Sequence, residues 1–161
     1  MPTPPLANLA DLDLQAQGHG EGFAAQIARI GPLIGADKLG CTLVVVPPGK
    51  KAWPYHRQFA NEEMFVILEG IGTLRHEDQR HPIRAGDVIA APIGEAHQIL
   101  NTSDAELRYL AISTMLEPEV SEYPDSGKRA AMAGSPPGRR PYPLFAITPM
   151  DAEIGYWDGE E

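Results

Sequence analysis

Two histidines, one glutamate and one glutamine carry the chemistry this chain can offer. His56, Gln58, Glu63 and His97 lie in short segments far apart in sequence. Imidazoles and a carboxylate are the donors a transition-metal ion takes from protein. If residues 56–58 are extended, His56 and Gln58 face one side and Arg57 the other. Glu63 opens the run MFVILE, which puts Phe65 and Ile67 on its face and sends Glu62 towards solvent. His97 opens a later run with Ile99 on its face. If a rolled antiparallel sheet brings these strand ends to one mouth, the donors share a pocket lined by Phe65, Ile67 and Ile99. The Gln58 carboxamide is a further possible ligand, but a weaker donor than imidazole towards zinc, iron or nickel. Three strong ligands with an open position make a catalytic arrangement rather than a closed structural one.

The elements that must position these groups read as strands. CTLVVV (41–46), MFVILE (64–69), TLRH (73–76), HPIR (81–84), DVIAA (87–91), AHQIL (96–100) and ELRYLAIST (106–114) are short runs separated by turn residues. With 16 glycines and 16 prolines, the chain has the punctuation of an all-β sandwich or barrel. Gly86, Pro92 and Gly94 make the turns that aim His97 inward, and the Asn101 amide is expected to tie down a strand end. In FAAQIARI (23–30), Phe23, Ile27 and Ile30 fit a helical face, and an edge strand fits equally and is favoured for so short a piece. The sequence divides into an N-terminal arm (1–22), a β-barrel (23–120) and a C-terminal extension packing on the barrel (121–161). Residues 1–20 read as a loose arm, and 121–143 as a long surface connection. Residues 143–150 return as a strand, and Trp157 packs back onto the body.

Composition narrows the function. The 161 residues hold 13 Lys+Arg against 22 Asp+Glu, a net charge of −9, which opposes phosphate-driven nucleic-acid binding. No apolar run reaches the roughly 18 residues of a membrane span. The opening MPTPPLANLADLDL lacks the basic and apolar regions of a secretory signal. One cysteine, Cys41, cannot form an intrachain disulfide, and it reads as a small core residue rather than a nucleophile. These features predict a cytoplasmic protein with a small-molecule ligand and neither nucleic acid nor membrane as partner.

Two segments carry a family resemblance. Gly86-DVIAA-Pro92-Ile93-Gly94-EA-His97-QIL-Asn101 fits G-x5-P-x-G-x2-H-x3-N at every fixed position. Gly49-KKAWPY-His56-Arg57-Gln58-FANE-Glu63-MFVILE-Gly70 fits G-x6-H-x-H-x4-E-x6-G except at Gln58, where a histidine is expected. Fifteen residues (71–85) separate them. The pair resembles the two motifs of the cupin superfamily at the spacing of small single-domain bacterial cupins. Segments such as Asn61-Glu62-Glu63-Met64-Phe65 and Tyr156-Trp157-Asp158-Gly159 are similar to members described as suspected sugar-phosphate isomerases.

The resemblance implies a double-stranded β-helix (a jelly-roll barrel), a homodimer, and a divalent ion such as Zn, Fe, Mn or Ni held by His56, Glu63 and His97, the residues at the motif positions. Three functional readings follow: an isomerase of a sugar or sugar phosphate, a non-catalytic small-molecule-binding barrel, and an iron-dependent dioxygenase. Lys50, Lys51, Arg75 and Lys128 are the candidate cations for a phosphate. The sequence identifies no catalytic base.

Overall fold

A computed structural model of the chain describes residues 5–139 and 141–160. Thirteen strands dominate it, with one short α-helix and two single-turn 3-10 helices, Leu9–Asp11 and Pro124–Ser126. In chain order they are β1 (Gln15–His19), β2 (Phe23–Arg29), α1 (Ile30–Ile34), β3 (Leu39–Val46), β4 (Arg57–Gln58) and β5 (Glu63–Glu69). There follow β6 (Ile71–His76), β7 (Gln79–Arg84), β8 (Val88–Ala91), β9 (His97–Leu100) and β10 (Leu107–Thr114). The C-terminal part supplies β11 (Glu119–Tyr123), β12 (Lys128–Ala133) and β13 (Leu144–Pro149). The all-β expectation holds, and each of the seven runs read from the barrel sequence is a strand.

One sheet has the order β1-β2-β3-β10-β5-β8. Facing strands fall into two groups, β13-β12-β11-β4 and β7-β6-β9, and every named pairing is antiparallel. An isolated antiparallel bridge between His56 and His97 links these groups where β4 approaches β9.

The reason for the roll lies in the side chains. β3 is apolar on both faces, and Leu43 to Val46 are almost fully buried. Val44 and Val46 join Phe65, Ile67, Leu107 and Tyr109 inside the barrel. Leu43 faces outward and is covered with Ala28 and Ile30 by Leu9, Leu12 and Leu14. Alternation in β5 sorts Phe65 and Ile67 inward while Met64 stays exposed.

Two expectations about the ends are corrected. Residues 15–19 are not a loose arm: β1 pairs with β2 along five residues, and the leucines before it dock on the outer cluster. The stretch 121–143 is not a plain surface connection, because most of β11 and all of β12 form a hairpin there. FAAQIARI is a strand through Arg29, but it borders β1 rather than forming the sheet edge. β13 pairs with β12 as expected for 143–150, yet its six residues are all exposed. Trp157 stays 76% exposed and touches Tyr156 instead of the body. Among the described residues no helix is long and apolar enough to cross a membrane.

Asn101, 1% exposed, ties the end of β9 to its neighbours. Its amide donates to Val46 O at 2.8 Å and Ala105 O at 2.7 Å, while its oxygen accepts from Ser103 N and Ser103 Oγ. Asn101→Ala leaves these buried groups unpaired and should cost about 2–3 kcal/mol in urea unfolding. A change below the measurement error would show that Asn101 is dispensable to the strand end.

Candidate metal centre

The approach to the centre is built by turns. After the Pro47–Gly49 turn the chain reaches His56, whose N–H donates to His97 O at 3.2 Å. His97 N–H returns a bond to His56 O at 2.9 Å. In such a hydrogen-bonded pair both side chains leave on the same face of the sheet. Gly94 sets the approach to His97: its φ of 84° is a left-handed turn conformation that favours glycine. That turn is fastened to β4 because Gly94 N–H donates to Gln58 O at 2.8 Å and Arg57 Nη1 donates to Gly94 O.

Both rings are held in one tautomer by backbone carbonyls. His56 Nδ1 donates to Pro54 O at 2.9 Å, and His97 Nδ1 donates to Glu95 O at 3.2 Å. A carbonyl can only accept, so each Nδ1 carries the hydrogen and each neutral ring offers its Nε2 lone pair. These two Nε2 atoms meet one oxygen of Glu63, at 3.6 Å from His56 and 2.9 Å from His97. A neutral ring fixed this way has no proton on Nε2 to give the carboxylate. A proton or a cation must lie between them. One ligand atom from each of the three residues lies within 4.8 Å of the others. The donor set therefore fits a divalent transition metal, and His56, Glu63 and His97 could hold one.

Electrostatics agree with that fit. Burial alone raises the Glu63 carboxyl, yet the bonds and charges of His56 and His97 outweigh it and hold the group at about 2. Burial lowers His56, but the bond to Glu63 and its charge more than compensate, leaving the imidazole raised. Tyr109 packs edge-on to Phe65 behind the site, and burial followed by the Glu63 charge raises its phenol.

The cluster opens on a cavity of about 390 Å³. His56, Gln58, Glu63 and Phe65 line it, and the Gln58 side chain makes no hydrogen bond among the described residues. Ile67 and Ile99 do not line the cavity; both are in the apolar core of the barrel. Glu62 is exposed, as alternation requires. Cys41 also reaches the cavity wall, half-buried, with its thiol raised by burial.

Sequence reading missed the opposite wall. Glu119, Ser121 and Tyr123 alternate along β11 and all reach the cavity. Glu119 is 1% exposed and accepts from Phe59 N, Ala60 N and Asn61 Nδ2, which secures the loop leading into Glu63. Tyr123 stacks on His56 with ring centroids 6.1 Å apart. The available signal was EVSEY, a strand-length run between Pro118 and Pro124 with a side chain on one face at every second residue.

None of the four cations considered for a phosphate lines this cavity. Lys50 donates to Glu21 O, Lys51 lies over Phe23, Arg75 is paired with Asp125, and Lys128 lies over Tyr123.

Residues 42–113 match the family model of the cupin domain. The oxalate-binding protein of Thermotoga maritima is 35% identical over 71 residues, which is 44% of this chain and 58% of that protein. Auxin-binding protein 1 of Arabidopsis thaliana is 30% identical over 131 residues, 76% of this chain and 65% of that protein. The chain thus spans less than two-thirds of the length of either curated relative. The structure of a suspected sugar phosphate isomerase from Acidithiobacillus ferrooxidans superposes with a TM-score of 0.80 at 26% identity, covering 92% of this chain and 95% of that one. A cupin-superfamily sugar phosphate isomerase from Silicibacter pomeroyi gives 0.76 at 24% identity, covering 96% and 98%, a likeness of fold alone.

Metal retention should depend on pH through the histidines. A metal must displace protons from imidazole, and the raised His56 competes more strongly than a free ring. Glu63 stays ionised until far lower pH. Dialysed protein assayed by elemental analysis should hold close to one ion at pH about 8 and lose it on acidification through the imidazole range near 6.5. His97→Ala should weaken binding by more than the roughly 10–100-fold typical of losing an outer partner. Content that is independent of both pH and His97 would place the ion elsewhere.

Proposed function

The chain belongs to the cupin superfamily, and from that membership and its ligand cluster we propose that it is a metal-dependent enzyme isomerising a small hydroxy-carbonyl compound, a sugar or sugar phosphate. The observation that carries this reading is the convergence of two Nε2 lone pairs and one carboxylate, with His56 and Glu63 on an open cavity and His97 buried behind them. A divalent ion bound there supplies Lewis-acid polarisation of a carbonyl oxygen. The name given to the A. ferrooxidans protein supports the choice of substrate class.

The chain's own groups supply the rest. Phe65 and Trp53 give the cavity apolar walls that exclude water from one side of a bound sugar. Gln58, free to donate and accept, is placed to hydrogen-bond a substrate hydroxyl. β11 carries a group able to move a proton, the Tyr123 hydroxyl. Burial raises the Tyr123 phenol, so it serves as a donor at neutral pH.

Gln58 also favours a second reading, a barrel that binds a metabolite without transforming it. A carboxamide in place of an imidazole weakens the ion's hold and with it the Lewis acid. The names of the oxalate-binding and auxin-binding relatives favour the same alternative for this chain. An iron-dependent dioxygenase shares the ligand set of two histidines and one carboxylate, but no observation selects iron.

The test is exchange of the substrate C–H proton with solvent. Metal-loaded protein incubated in deuterium oxide with aldose and ketose phosphates should incorporate deuterium next to the carbonyl, and Tyr123→Phe should slow this by about 10²–10⁴-fold. Binding without exchange in any member of the panel would leave the binding reading. Gln58→His should tighten metal binding in a chelator competition; unchanged affinity would put Gln58 outside the coordination shell.

A further inference from the structure

The cavity floor has a defined order across the first sheet. Arg29 on β2 pairs with Thr42 on β3, Thr42 with Ala111 on β10, and Ala111 with Phe65 on β5. A neighbouring row runs from Gly40 through Ser113 to Glu63. Cross-strand partners present their side chains to the same face, and all of these residues line the cavity. The floor between Arg29 and the ligand cluster is made of small residues, Gly40, Thr42, Ala111 and Ser113. The metal end and Arg29 are three strand spacings apart, roughly 14 Å between backbones before the side chains reach inward.

Two guanidinium groups lie on this cavity. Arg139 is engaged in structure: Nη2 donates to Ala36 O at 2.6 Å and Nη1 to Asp37 at 3.2 Å, which fixes residues 137–139 along the rim. Arg29 differs. Among the described residues its side chain makes no hydrogen bond or ion pair; it is exposed at the end of β2, on the same face as the buried Ala25 and Ile27, and lines the cavity. The cavity is therefore bipolar, with oxygen-seeking metal ligands at one end and an uncommitted cation at the other.

Building on the reading of the site as a metal-centred small-molecule cavity, we propose that Arg29 recognises a terminal oxyanion on the ligand, a phosphate or a carboxylate borne at the far end of a carbon chain whose hydroxyl and carbonyl oxygens face His56, Glu63 and His97. The guanidinium fork matches either anion with two parallel hydrogen bonds. A cavity of about 390 Å³ is of the size that encloses a small metabolite. This assignment replaces Lys50, Lys51, Arg75 and Lys128 as the anion-binding cations.

Calorimetric titration of the metal-loaded full chain tests it, with ribose phosphate, the corresponding sugar acid, ribose and inorganic phosphate as probes. At least one of the two anionic sugars should bind about ten-fold to a hundred-fold tighter than ribose, and which one does so distinguishes phosphate from carboxylate. Arg29→Gln should remove that advantage while leaving ribose affinity and metal content unchanged, and Arg29→Lys should retain part of it. The proposal is overturned if neither anionic sugar outbinds ribose, if Arg29→Gln keeps the full preference, or if inorganic phosphate binds the wild type and Arg29→Gln equally. An anion preference lost in Arg29→Gln, found together with no C–H exchange, upholds Arg29 and removes only the isomerase reading. Exchange that proceeds with Arg29→Gln indifferent to the anion does the reverse.

Discussion

Two backbone hydrogen bonds exchanged between His56 and His97 do more than close a sheet. They join the strand group that ends in β4 to the group that ends in β9, alongside the bond from Gly94 N–H to Gln58 O, and make the second wall of the barrel continuous. The same pairing sets the two imidazoles side by side, with ring centroids 4.7 Å apart. Each ring is then turned by the carbonyl two residues before it, Pro54 for one and Glu95 for the other. Glu63 reaches the pair from the opposite sheet. A bound ion would link the two walls at their junction, and metal affinity and barrel stability would be coupled.

The barrel was legible because its strands keep a period of two and are separated by Gly and Pro. β5 shows this most simply: Glu63, Phe65 and Ile67 follow from alternation alone. The residues of the candidate cluster were legible because spacing places each histidine at a strand entrance, and the structure brings His56, Glu63 and His97 together. Cavity lining was less so. Alternation gives the face of Ile67 and Ile99, but not their depth, and both fall below the cavity in the packed core. What period cannot supply is which strand returns to close the site. β11 pairs locally with β12 in a hairpin, but it reaches the site by pairing with the two-residue β4, Ser121 with Gln58 and Glu122 with Arg57, a long-range contact that leaves little trace in local composition. The N-terminal segment misled for a similar reason. Its prolines and glycines suggested a free arm, while Leu9, Leu12 and Leu14 had an apolar patch on the barrel to cover.

The cavity places unlike chemistry at its two ends. Its inner end concentrates electron-pair donors, its β11 wall adds a carboxylate, a hydroxyl and a phenol, and its outer edge carries Arg29. A chain of net charge −9 repels small anions at long range, so an anionic ligand needs a local cation to be retained. Gln58, on β4 close to His56, lines the same cavity. Fold alone does not choose between catalysis and binding, because the same barrel carries many functions. The choice rests on these side chains.

The direct test of the central claim is anomalous scattering from crystals grown with zinc or manganese, recorded on both sides of the absorption edge. The account predicts one strong peak about 2.0–2.2 Å from His56 Nε2, His97 Nε2 and a Glu63 oxygen. A loaded crystal with its ion at any other set of residues, or with the two imidazoles turned to separate partners, would contradict it.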